Sequence, residues 1–150
     1  MSRRIAESIY LLAITLWVGG MWAIGFLAAP TLFAELSDRA LAGSLAGAMF
    51  TWGAWVGIAC ASYVLLFLLT TRGGRAFKTA AFWLALLMLL LTLAGHFGIQ
   101  PILSQIKAAA PRQVLEGVLR DRFAMWHGIS SGLYLLQSLL GAALVLKIRG

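Results

Sequence analysis

Four long apolar runs alternate with short polar connections along this chain. They cover residues 9–29, 48–71, 79–98 and 124–146, and the first contains no charged residue. A helix that crosses the hydrocarbon core of a bilayer needs about 20 mostly apolar residues, and each run reaches that length. The pattern predicts an all-α protein: an integral membrane four-helix bundle, formed as one four-span domain over residues 1–150. The second helix is expected to begin as early as Ser37, an N-cap residue type placed just before Asp38. Pro101 is expected to end the third. The first run exceeds the 7–15 apolar residues of a signal peptide, so it is read as a retained span.

The two connections on the far side of the bundle differ. Residues 30–46 form a short amphipathic approach to the second span. Residues 99–123 are longer, and Pro111 suits the first turn of a helix there. Val114, Leu115, Val118 and Leu119 would share one face of it, with Arg112, Glu116 and Arg120 opposite. This predicts a short amphipathic helix in the last outer loop, lying in the membrane interface or acting as a lid over the bundle's mouth.

Within the spans the few polar and small residues recur at helical spacing. His127, Ser130, Ser131, Tyr134, Gln137, Ser138 and Gly141 fall on one arc of the fourth. Ala81, Ala85, Met88, Thr92 and His96 do so on the third. Ser8, Thr15, Gly19 and Trp22 share a face of the first; Ser44, Thr51, Trp55 and Ser62 share one of the second. Polar groups in hydrocarbon are costly unless they face protein or water. All four stripes are therefore expected to converge on the interior, for packing or to line a path. Gly43/Gly47, Gly53/Gly57 and Gly128/Gly132 have GxxxG spacing and are read as helix-packing sites.

Composition agrees with a lipid environment: 61% of residues are hydrophobic and 11% charged, against ~45–50% and ~25% in soluble domains. The net charge of +7 is unevenly placed. Arg3, Arg4, Arg72, Arg75, Lys78, Lys147 and Arg149 stand on one side against Glu7 alone, a net +6. The other side carries five basic and four acidic residues, a net +1. By the positive-inside rule both termini and the short middle loop are expected to be cytoplasmic. The basic charge then serves topology and contact with anionic lipid, and no nucleic-acid partner is expected. A homo-oligomer or a membrane partner is left open. The single cysteine, Cys60, excludes an intrachain disulfide.

Counted from Lys78 and Lys147, His96 and His127 lie at similar heights, roughly 27 and 30 Å up at 1.5 Å per residue. Trp22, Trp52, Trp55 and Trp126 fall in the same layer, where an aromatic belt is usual. Trp17, nearer mid-membrane and followed by two glycines, is read as a packing residue. Imidazoles ligate metals or haem iron, and methionine thioethers suit Cu(I). A site formed by His96, His127, Met21, Met49 and Met125 would suit copper, and the two histidines would suit haem b. The same methionines also serve as adaptable packing. No acid lies within the spans, which argues against a carboxylate-based proton or sodium pump. No Ser-His-Asp set, phosphate loop, HExxH or CxxC is present, so hydrolysis is not expected, and enzyme activity is left open with a non-enzyme as the leading reading.

Residues 16–22 (LWVGGMW), 28–33 (AAPTLF), Leu41-Ala42-Gly43 with Met49-Phe50, His96-Phe97-Gly98 and residues 123–128 (FAMWHG) occur in that order. In this they resemble the bacterial membrane proteins similar to transmembrane protein 205, a domain of unknown function. The family looks distantly similar to copper-resistance membrane proteins of the CopD type and to a haem-binding protoporphyrinogen oxidase group. The resemblance implies a four-span bundle in the bacterial inner membrane, with His96 and His127 able to inherit a ligand role. It implies handling of copper or another small solute, or assistance to a partner that does so. The alternatives are a haem-binding redox protein and a structural or assembly subunit.

Overall fold

The computed structural model describes residues 3–109 and 118–148, and no strand occurs among them. Helix α1 (Arg3–Trp22) continues through a π-helical segment (Ala23–Ala28) into α2 (Ala29–Glu35). After a break at residues 36–38 the chain returns as α3 (Arg39–Arg72), which ends in a 3-10 turn (Gly73–Lys78). Helix α4 (Ala80–Leu93), a second π segment (Ala94–Ile99) and α5 (Gln100–Ala109) run on in sequence, and α6 (Val118–Lys147) completes the fold. Four helical stretches are long and apolar enough to cross a membrane: Arg3–Glu35, Arg39–Lys78, Ala80–Ile106 and Asp121–Lys147. Each packs against the next, and α6 closes against α1. The expected membrane four-helix bundle is thus present. Both described ends of the chain and the Gly73–Lys78 turn share one end of it, the terminal end.

The spans are longer than their apolar runs because neither proline stops a helix. A proline ring collides with the carbonyl four residues back and supplies no N–H. Pro30 and Pro101 each follow a π segment by two residues. Just before each proline the N–H reaches five residues back, Ala29 to Ile24 and Gln100 to Gly95. The wider turn makes room where a regular helix would clash. The expectation that Pro101 ends the third span is therefore corrected: the helix passes through it to Ala109. The outer loop expected over residues 99–123 is correspondingly shorter, and most of the amphipathic helix proposed around Pro111 lies outside the described residues.

The break at residues 36–38 is closed by Asp38 and not, as expected, by Ser37. The Asp38 carboxylate accepts the Ala40 and Leu41 N–H groups at 2.8 and 3.1 Å, which satisfies two of the unpaired donors at the start of α3. At the other end of α3, Gly73 takes φ +54° and its N–H bonds the Leu69 carbonyl. Only glycine adopts that left-handed cap without a steric penalty.

The core is densest in the terminal half, where Ile14, Val64, Leu68, Met88 and Leu144 are fully buried. Tyr10, Trp17, Val18 and Met21 join it from α1, with Cys60 and Ala61 from α3. Lipid supplies no hydrophobic drive for helices to associate, so this interdigitation and close backbone approach do the work. The small residues involved only partly match the GxxxG pairs. A methyl group on Gly57 would meet Trp17 Nε1 at 2.9 Å, and one on Gly53 would meet Ile24 at 3.0 Å. Gly47, Gly128 and Gly132 have no neighbour within 4 Å at that position, and Gly43 has only Phe33 at 3.8 Å. The closest helix contacts instead use Gly57, Gly25 beneath Tyr134, and Gly141 beneath Val18 and Met21.

Candidate functional site

Two of the four expected stripes face inward. On α4, Ala81, Ala85, Met88 and Thr92 are buried, and on α6 Gln137, Ser138 and Gly141 are buried. They meet in a hydrogen-bonded seam. Gln137 Nε2 donates to Thr92 Oγ1 at 2.6 Å and more weakly to the Met88 carbonyl at 3.4 Å. The Thr92 hydroxyl donates to that same carbonyl at 2.9 Å. One turn further along, Trp22 Nε1 donates to the Ser138 carbonyl at 3.3 Å, and the Tyr134 hydroxyl donates to the Met21 carbonyl. Trp22 is therefore tied to α6. Trp17 is buried as expected.

The other two stripes point the wrong way for an interior lining. Ser8, Thr15, Gly19 and Trp22 lie on the exposed side of α1, and Ser44, Trp55 and Ser62 on that of α3, with Thr51 half-buried. Hydroxyls in a helix can bond a carbonyl one turn back. Ser8 bonds Arg4, Thr15 bonds Leu11, Ser44 bonds Leu41 and Thr51 bonds Gly47. Once satisfied in this way, they exert no inward pull. On α6 the stripe turns outward at its far end, where His127 and Ser131 are exposed.

Buried side chains thus lie along the bundle axis, and an open space lies to one side. An open cleft of about 530 Å³ runs between the second half of α1 and the first half of α3. Gly20, Met21 and Ile24 form one wall and Met49, Trp52 and Gly53 the other, with Leu32 of α2 at the far end. Gly20 has open space where its side chain would be. Trp52, 73% exposed, forms the lipid-facing rim. Nothing in the sequence pattern singled out this cleft, because its lining is apolar like the rest of the spans.

Two of the five residues expected at a metal share one place, and the other three stand elsewhere. Met21 and Met49 line the cleft, and Met125 is exposed. His127 is exposed and stacks on Phe123, ring centroids 5.7 Å apart. His96 lies in the second π segment, with Trp55 edge-on at 5.5 Å and Phe97 at 4.8 Å. Its Nδ1 is the one buried side-chain polar atom without a hydrogen-bond partner among the described residues. Among those residues no group of three or more His, Cys, Asp or Glu comes close enough together to hold a metal ion.

These features define a small multi-pass helical membrane protein with a lateral apolar cleft and an unpaired imidazole. Residues 12–112, covering most of the first span and all of the second and third, and therefore Met21, Met49 and His96, match the family model described as Domain of unknown function (DUF4149). The chain belongs to that family. No curated protein and no solved structure matches it.

Proposed function

We propose that the protein takes up a small apolar solute from the bilayer in the cleft between α1 and α3, and not along the bundle axis. The observation that carries this is the shape of the interior. The axis is closed by Val64, Leu68, Met88, Leu144 and the Thr92–Gln137 pair, whereas the cleft has the volume of small-ligand sites, about 300–1,000 Å³. Its lining of glycines, methionines, aliphatic side chains and two tryptophans, Trp17 and Trp52, suits a flexible hydrocarbon, since thioethers adapt to irregular shapes. In this reading the membrane is the bacterial inner membrane and the terminal end faces the cytoplasm, on the charge asymmetry of the loops.

The test is photolabelling in a bilayer with a diazirine-bearing hexadecanol. Labels are expected on Met49 and Trp52 and to fall severalfold in Gly20→Leu, whose side chain enters the cleft. Labels on Leu66 and Leu139, exposed elsewhere, should not change. Equal labelling of the cleft in the variant and the parent would overturn the reading.

A second reading is metal or haem handling, as the resemblance to the transmembrane-protein-205-like family and the CopD type implies. The unpartnered Nδ1 of His96 favours it. One imidazole fits the role of a single ligand, but the rings of Trp55 and Phe97 beside it supply no metal donor. Purified protein that shows a Soret band, or copper lost on His96→Ala, would support this reading, and colourless, metal-free protein would sink it.

A further inference from the structure

At the terminal end a second pocket, of about 290 Å³, lies between the start of α1 and the end of α3. Its apolar side is firmly built. Tyr10 stacks on Phe67 at 4.6 Å, and nearby the Tyr63 hydroxyl bonds the Ala6 carbonyl at 3.1 Å, tying the two helices together. Two arginines complete the lining, Arg3 and Arg72. Arg3 Nε bonds Glu7 at 3.0 Å, which leaves its terminal NH2 groups available. The Arg72 side chain has no hydrogen bond or ion pair among the described residues. Thr71 bonds Phe67 O at 2.6 Å and so has no proton to offer a ligand. The free donors are therefore the guanidinium N–H groups and the Tyr10 hydroxyl.

We propose that this pocket binds the phosphodiester headgroup of an anionic phospholipid. Guanidinium groups pair with phosphate oxygens through parallel, charge-assisted hydrogen bonds, and basic pockets between membrane helices are suited to lipid headgroups. The charge selects among anions. Arg3 and Arg72 against Glu7 leave +1, which matches a phosphodiester's single negative charge better than the larger charge of free phosphate. The apolar side formed by Leu11, Tyr10 and Phe67 continues onto the exposed flank of the spans, as a ligand with an attached acyl chain requires. The site is separate from the cleft and does not depend on it.

The test uses the full chain in detergent micelles, with retained lipid counted by native mass spectrometry. Phosphatidylglycerol is expected to be retained well above phosphatidylcholine, and millimolar inorganic phosphate should not displace it. Arg72→Gln should lower retention about tenfold, the scale of one charge-assisted hydrogen bond. Arg75→Gln, which removes the same charge outside the pocket, should change it little. Glu7→Gln, which frees Arg3, should raise it. Protection of the Cys60 thiol in each variant reports that the fold is intact. Equal losses in Arg72→Gln and Arg75→Gln would reduce the effect to general surface charge and overturn the proposal. So would displacement by inorganic phosphate, or retention of phosphatidylcholine to the same degree.

Discussion

Replacing Gly25 by alanine puts a methyl group against the ring of Tyr134. The new carbon would sit 2.8 Å from Cζ and 2.9 Å from the hydroxyl oxygen, and closer still to Cε1. The ring must move, which also breaks its hydrogen bond to the Met21 carbonyl. Overpacking of this kind costs about 1–3 kcal/mol, and an interhelical hydrogen bond in a membrane protein contributes about 0.6 kcal/mol on average and about 1.7 at most. Alanine returns about 1 kcal/mol of helix preference. The net expectation is a loss of about 1–4 kcal/mol. Gly128→Ala is the matched control. Nothing lies within 4 Å of its new methyl group, so it should be neutral or gain up to about 1 kcal/mol. Unfolding by SDS from mixed micelles, followed by helical circular dichroism, measures both. Cys60, the single cysteine and a buried one, gives an independent readout through a thiol-reactive dye. If the two variants agree within about 0.5 kcal/mol, Tyr134 is not seated on Gly25 and the α1–α6 contact described here is wrong.

Asp38→Ala should cost about 1 kcal/mol through loss of the cap on α3, while Ser37→Ala changes stability little; the same SDS titration distinguishes them, and equal effects would return the cap to Ser37. A double-mutant cycle of Gln137→Leu and Thr92→Val should show a coupling of about 0.6 kcal/mol, and at most about 1.7; zero coupling would mean the seam is not formed. In a bilayer of brominated-chain lipid, a variant keeping only Trp52 should be strongly quenched and one keeping only Trp17 weakly, because Trp52 is 73% exposed and Trp17 3%. Comparable quenching of the two would place acyl chains at Trp17, deep in the cleft that it lines, and not only at the rim.

The four spans were legible because length and apolarity alone decide them, and the inward faces of α4 and α6 were legible because Thr92 and Gln137 need each other. The faces of α1 and α3 were not. Ser8, Thr15 and Ser44 look like interior residues in a helical projection, yet each bonds its own helix and is free to face outward. Spacing also could not tell Gly57, pressed by Trp17, from Gly132, which touches nothing. The cleft escaped notice for a different reason: a void has no residue type. The prolines misled because their effect depends on the turn before them, and a π segment lets the helix continue where a regular one would stop.

Those π segments also bear on how the chain tolerates changes in length. A π turn holds one residue more than an α-helix needs at that place. Deleting one residue within Ala23–Ala28 therefore removes the surplus and keeps α1 and α2 in their present orientations, with Pro30 now meeting a regular turn. The same deletion in the middle of α1 rotates every residue beyond it by about 100°, taking Met21 off the core. The segment before Pro101 has the same property, so a one-residue deletion in either π segment keeps the helix register and costs instead the proline clash that the wide turn relieves, about 3 kcal/mol.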